Sequence, residues 1–226
     1  MSIQERLKEI EEKIEHSCEK VGRNSGSVKI IAVTKYVSLE TTKQTLDHGL
    51  IHIGENRAEG AVEKWDALHD RGIWHFIGSL QTRKVKHIIG KYEYLHSLDR
   101  LSLAEEVDKR LESGEKMKCF VQVNVSGEES KAGLSPGDVH SFIAQLSQFK
   151  GIQVVGLMTM APFVEDPELT RPVFNQLRQL RDEVQALHLE HAPCTELSMG
   201  MSNDFTVAVE EGATFIRLGS ALVGRE

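Results

Sequence analysis

The chain has 226 residues, 40% of them apolar, with 27 basic against 34 acidic side chains and a net charge of −7. That length suits one large α/β unit or two small ones, and the negative balance argues against a nucleic-acid surface or an anionic membrane. The longest apolar runs are strand-sized, the start Met1-Ser2-Ile3-Gln4-Glu5 is polar rather than a leader, and three scattered cysteines (Cys18, Cys119, Cys194) read as free thiols in a reducing cytosol.

Helices and strands alternate throughout. Ser2 and Glu5 form a capping box ahead of a helix whose Ile3, Leu7, Ile10, Ile14 and Val21 recur at helical spacing until Gly22 stops it. Residues 29–35 read as a strand buried on both faces, with the apolar or β-branched run Ile30 to Thr34 set between two lysines. Ser38 caps a helix ending near Gly49, residues 52–56 form a second strand, and Ala58, Ala61, Val62, Trp65 and Leu68 mark the next helix. Further strands are predicted over 73–78, 94–98, 119–125, 154–160, 196–199 and 214–219. The intervening helices cover 81–90 and 101–113, follow Ser135-Pro136, start between Asp166 and Pro172, and cover 202–212. Eight strands in step with helices, with no composition break, predict an α/β fold: a single (β/α)8 TIM-type barrel over 1–226 with an additional N-terminal helix. An open doubly wound sheet is the second reading. No helix is expected after the last strand, and the N-terminal helix is placed in that slot.

Ligands of such barrels sit at the C-terminal strand ends, often with a phosphate after strands seven and eight. Lys35, ending strand one, is either a solvated end residue or an amine desolvated in a pocket and able to form a Schiff base. Strand seven runs into Ser198-Met199-Gly200-Met201-Ser202-Asn203-Asp204, whose N–H groups and hydroxyls suit a phosphate unless Ser202 is only a helix cap. Strand eight ends in Leu218-Gly219-Ser220-Ala221, where glycine admits close approach by an anion. Arg217 interrupts that apolar strand, either as an internal salt bridge or as a ligand group that barrel closure sets near Lys35. Pyridoxal phosphate uses all three features through its aldehyde, phosphate and ring nitrogen.

At these residues AVTK around Lys35, HIGEN (52–56), WHFIGSLQ (74–81), VQVNVSGEESKAG (121–133), GLMTMAP (156–162) and LSMGMSNDFTVAVEEGATFIRLGSALVG (197–224) resemble the pyridoxal phosphate homeostasis protein family over nearly the whole chain. That family is similar to the N-terminal barrel of alanine racemase, the fold type III arrangement. The resemblance implies that Lys35 forms the internal aldimine and that Arg217 faces the pyridine nitrogen. It assigns the phosphate to Ser198, Gly219 and Ser220, with Ser202 and Asn56 as further contacts, although Asn56 with Glu59 also reads as a capping box. Many family members read lysine-threonine-lysine-proline where this chain has Lys35-Tyr36-Val37, which changes the rim. The implied protein is cytoplasmic and monomeric, holds pyridoxal 5'-phosphate for vitamin B6 homeostasis, and meets apo pyridoxal enzymes only transiently.

The competing reading is a fold type III enzyme such as an amino-acid racemase. Racemisation needs an acid–base group on each face of the substrate carbon. The chain's tyrosines, Tyr36, Tyr92 and Tyr94, lie early, and Tyr36 is expected on the opposite strand face from Lys35. A guanidinium opposite the ring nitrogen also weakens the electron sink, so a cofactor holder without a catalytic pair is favoured. A phosphosugar barrel enzyme would instead pair Lys35 with Glu55 and Glu196. Lys131 puts a second amine after strand five, as a relay or as the partner of Glu128 or Glu129. Met158, Met160, Met199 and Met201 are expected inside the barrel, while His188, His191 and the Arg83-Lys84-Lys86-His87 cluster are expected at the surface, with no metal site.

Overall fold

In a computed structural model, which describes residues 1–57, 61–128, 130–224 and 226, eight parallel strands close on themselves in chain order. They are β1 (Lys29–Val33), β2 (His52–Glu55), β3 (Ile73–Phe76), β4 (Tyr94–Leu98), β5 (Met117–Gln122), β6 (Ile152–Met158), β7 (Glu196–Ser198) and β8 (Phe215–Leu218). Closure is made by β8 on β1, in register from Lys29 opposite Phe215 to Ala32 opposite Leu218, which excludes the open sheet. The helices are α1 (Ile3–Lys20), α2 (Leu39–Asp47), α3 (Val62–Leu68), α4 (Leu101–Arg110), α5 (Val139–Leu146), α6 (Arg171–Gln185), α7 (Phe205–Glu210) and α8 (Ser220–Val223). Among the described residues, no helix is long and apolar enough to cross a membrane.

The capping box of α1 forms as read: Ser2 N–H donates to Glu5 Oε2 at 2.7 Å, and Glu5 N–H donates to Ser2 Oγ at 3.2 Å. Its buried stripe is Ile3, Ile10, Ile14 and Cys18, while Val21 falls beyond the helix and is exposed. A helix does follow β8, contrary to expectation, but it is a single turn. One turn covers little of the barrel, and α1 packs against α8, with Arg6 Nε donating to Leu222 O at 2.8 Å. The basic segment after β3 is a 3-10 helix over Thr82–His87, which Gln81 does not cap. The helix expected from Ser202 begins at Phe205, because Asp204 takes the N-cap position. The proposed Asn56–Glu59 capping box involves Glu59, outside the described residues.

Side chains alternate along the strands, apart from register shifts between β4 and β5 and between β5 and β6, so that alternate residues enter the barrel. On β1 and its extension that parity takes Lys29, Ile31, Val33 and Lys35. Ile31 packs inside with Phe120, Met158 and Phe215, whereas Ala32 belongs to the larger apolar layer between strands and helices. The inner cluster is small for a barrel of this kind. Polar side chains occupy the rest of the axis: His75, His96, Ser198 and Arg217 are all buried. Met158 is inside the barrel as expected, but Met199 is buried in the outer apolar layer, and Met160 and Met201 lie past the strand ends, exposed at the mouth.

Candidate functional site

A cleft of about 870 Å³ opens at the C-terminal ends of the strands. Lys35, Asn56, Ser202, Arg217, Gly219 and Ser220 all line it. Six of the seven residues singled out for the cofactor therefore converge on one mouth. The seventh, Ser198, does not. It ends β7 one layer deeper, fully buried, and its Oγ accepts from Arg217 Nη1 at 2.6 Å and lies 2.9 Å from His96 Nδ1. The structure thus sets Ser198, expected as a phosphate contact, beneath the cleft: strand parity turns it inward, and Arg217 bonds to it.

Lys35 is exposed because β1 stops at Val33 and the chain turns over residues 35–36. That turn also corrects the placement of Tyr36. The chain is not extended there, so Lys35 Nζ lies 4.8 Å from the Tyr36 ring centroid and both residues line the cleft. Lys35 forms no ion pair among the described residues. The carbonyl just before it is clamped from behind. Lys64 Nζ donates to Thr34 O at 2.6 Å and to Glu55 Oε1 at 3.1 Å, and Thr34 Oγ1 donates to the same Glu55 oxygen at 2.6 Å. Both charged partners are buried. Sequence reasoning missed Lys64, since nothing in its helical spacing separates a buried lysine from a solvated one.

Arg217 forms the floor. It is buried, Nη2 donates to Thr159 O at 2.9 Å, and no carboxylate forms an ion pair with it among the described residues. Burial lowers its pKa to about 10, with the nearby Asp204 carboxylate opposing the shift, so it remains a cation at neutral pH. Asp204 is itself buried, which raises its pKa although Met201 N–H donates to its Oδ1 at 2.6 Å. That bond folds the turn after β7. Gly200 stands there at φ 90°, where a Cβ would fall 2.5 Å from Ala208 Cβ, so only glycine fits.

Anion donors come from the two turns. With Asp204 as cap, Ser202 is free and exposed, and among the described residues the backbone N–H groups of Ser202, Gly219 and Ser220 have no acceptor within the chain. A Cβ at Gly219 would meet only Val33, another wall of the cleft, at 3.9 Å. The chain's own packing leaves room beside this backbone. An amine, an uncompensated guanidinium and a set of N–H and hydroxyl donors around one cleft fit a ligand with an aldehyde, an acceptor nitrogen and a phosphate.

The remaining candidates fall away from the mouth. Glu55 is engaged by Lys64, and Glu196 starts β7 at the opposite end, 3.6 Å from Lys29 Nζ, so no carboxylate pair joins Lys35 from these positions. Lys131 pairs with Glu128 and reaches the Met160 carbonyl at 3.5 Å, on the rim; Glu129 lies outside the described residues. The three cysteines are free and buried, and no group of metal-binding side chains occurs among the described residues.

The family model "Alanine racemase, N-terminal domain" matches residues 10–226. The pyridoxal phosphate homeostasis protein of Aquifex aeolicus is 42% identical over 226 residues, covering 99% of this chain and 98% of that one. This chain belongs to the pyridoxal phosphate homeostasis protein family. Among solved structures, PipY of Synechococcus elongatus with PLP bound superposes with a TM-score of 0.84 at 34% identity, covering 99% of this chain and all (100%) of that one. Alanine racemase of Clostridium difficile shares the barrel at a TM-score of 0.73 and 15% identity, with 98% of this chain matching 56% of the racemase. That likeness is one of fold.

Proposed function

We propose that this protein binds pyridoxal 5'-phosphate in the mouth of the barrel and serves intracellular vitamin B6 homeostasis, holding the cofactor on Lys35 and passing it to apo pyridoxal enzymes. The observation that carries the reading is the convergence of Lys35, Arg217 and the Ser202 and Gly219–Ser220 donors on one cleft, neither cation in an ion pair among the described residues. When bound, the cofactor supplies an aldehyde that condenses with an amine and a ring that draws electrons. Lys35 offers that amine, its position fixed by the clamp on Thr34 O. Arg217 donates toward the ring nitrogen. Ser202, Ser220 and the Gly219 backbone receive the phosphate, and Asn56 lines the same cleft beyond β2.

A holder fits this site better than a racemase. Tyr92 is buried and Tyr94 starts β4 at the far end, so of the three tyrosines only Tyr36 reaches the cleft, beside Lys35. A pair acting on opposite faces of a substrate carbon would need its members on opposite walls. A guanidinium that stays charged also disfavours protonation of the ring nitrogen and limits carbanion stabilisation.

The test is a titration of cofactor-free protein with pyridoxal 5'-phosphate, followed by visible absorption. The wild type should take up one equivalent and turn yellow, while Lys35→Ala should show no such band and should exchange the cofactor freely. An unchanged band in Lys35→Ala would overturn the assignment.

A further inference from the structure

A line of polar side chains runs along the barrel axis to the cleft floor. His52 Nδ1 lies 2.9 Å from His75 Nε2, His75 Nδ1 lies 2.9 Å from His96 Nε2, and His96 Nδ1 lies 2.9 Å from Ser198 Oγ. Ser198 Oγ then accepts from Arg217 Nη1 at 2.6 Å. The chain starts at the foot of β2, crosses β3, β4 and β7, and ends on β8.

Its direction follows from proton counting. Arg217 can only donate, so Ser198 Oγ accepts from it. Oγ has one other neighbour among the described residues, His96 Nδ1. If the hydroxyl donates to Nδ1, then His96 donates from Nε2 to His75 Nδ1, and His75 donates from Nε2 to His52 Nδ1. Every buried donor and acceptor is matched. The reverse direction leaves the buried Ser198 O–H with nothing to donate to among the described residues, which is unfavourable for a buried donor. In the satisfied direction the bonds align head to tail, with the acceptor end of each facing Arg217.

All three histidines are held neutral. Burial, and for His96 next the Arg217 cation, lowers His75 and His96 well below the usual range, and burial followed by Lys29 lowers His52 to about 4. The cation therefore hydrogen-bonds to aligned dipoles, and the Asp204 carboxylate acts on it only through space, without an ion pair among the described residues. A carboxylate at the place of Ser198 would satisfy Arg217 and also cancel its charge. Packing needs alone would not select this row: His96 stacks on Phe120 and His75 on Tyr94, positions that apolar rings could fill equally well.

We propose that His96 and Ser198 are positioning residues, the near end of a hydrogen-bond chain from His52, which hold the Arg217 guanidinium at the cleft floor with its charge undiminished for the acceptor nitrogen of a bound pyridine ring. The ligand part of this inference rests on the proposed function, while the polarity of the chain does not.

The experiment compares pyridoxal 5'-phosphate with pyridoxal, which lacks the phosphate, on wild type, Ser198→Ala, His96→Leu and His96→Asn. Ser198→Ala and His96→Leu should each weaken both ligands by the same factor, about tenfold, and shift the visible band. His96→Asn, whose Oδ1 replaces Nδ1 as acceptor, should recover most of the loss. A loss confined to pyridoxal 5'-phosphate would return Ser198 to the phosphate site and overturn the proposal. Unchanged affinities, or His96→Asn no better than His96→Leu, would also overturn it. The near-isosteric Ser198→Ala decides the matter if His96→Leu does not fold. If the wild type binds neither ligand, the proposed function fails instead, and imidazole ¹⁵N spectra of the ligand-free protein still test the chain. All three histidines should be neutral and protonated at Nε2, and a proton on His96 Nδ1 would contradict the polarity.

Discussion

The two ends of the barrel treat positive charge in opposite ways. At the foot, Lys29 meets Glu196 at 3.6 Å and lies 4.5 Å from the Phe215 ring centroid, and Lys118 meets Glu93 at 3.4 Å and lies 5.0 Å from that of Tyr94. Those cations are answered by the chain itself. At the mouth, among the described residues, Lys35 meets the Tyr36 ring without an ion pair, and Arg217 rests on a hydroxyl and a carbonyl. The mouth also has carboxylates, since Glu226 lines the cleft and Asp204 lies near Arg217, but among the described residues neither forms an ion pair with Lys35 or Arg217. The difference teaches that charge left uncompensated, rather than charge as such, marks the binding end of this barrel. Lys64 sharpens the point: it lies behind the same carbonyl that precedes Lys35, but it is buried and paired with Glu55.

The clamp should give the largest effect on stability. Lys64→Met leaves Glu55 buried without its cation and should lower unfolding free energy by about 3–5 kcal/mol, measured by urea denaturation. Adding Glu55→Gln should restore much of the loss, and a double variant as unstable as the single one would contradict the pairing. At the cleft floor, Arg217→Met should weaken pyridoxal 5'-phosphate about tenfold to a hundredfold, equivalent to ~1.4–2.8 kcal/mol. Equal affinity in titration would mean that the unpaired cation does not serve the ligand.

Acid should act through the histidine row. Each folded-state pKa lies below the ordinary 6.5, so the unfolded chain binds protons first and stability increases with pH. The contribution is complete above about 6.5 and falls as pH drops below that value, for His52 until about 4, by up to about 1.4 kcal/mol per pH unit for each histidine. Melting temperatures across that window should fall steeply for the wild type and less so for His96→Asn. A flat wild-type profile would refute neutral histidines. The smallest effect belongs to the foot: Lys29→Met should cost no more than about 1 kcal/mol, because the pair is half-exposed and screened.

Much of this was legible in the sequence. Apolar runs at strand length, separated by capped helical stretches, show the eight-fold alternation, because both patterns are set by local spacing, while closure came from the pairing of β8 with β1. Lys35, Arg217 and the small-residue turns stood out because charge or glycine broke an apolar strand or opened a helix. The burial of Ser198 beneath the cleft was not legible, since it depends on strand parity at a three-residue strand whose end was not fixed by sequence. The histidine row was invisible for a different reason. His52, His75, His96 and Ser198 are separated by 23, 21 and 102 positions, and only barrel closure makes them neighbours. The short α8 escaped because one helical turn leaves no periodicity to read.

The central claim is that the uncompensated amine at the mouth carries the cofactor. Borohydride reduction of the protein loaded with pyridoxal 5'-phosphate, followed by peptide mass analysis, tests it most directly. The account predicts a single pyridoxyl adduct on Lys35, with Lys64, Lys29 and Lys118 unlabelled. An adduct carried chiefly by Lys131 or by any lysine at the foot, with Lys35 unmodified, would contradict it.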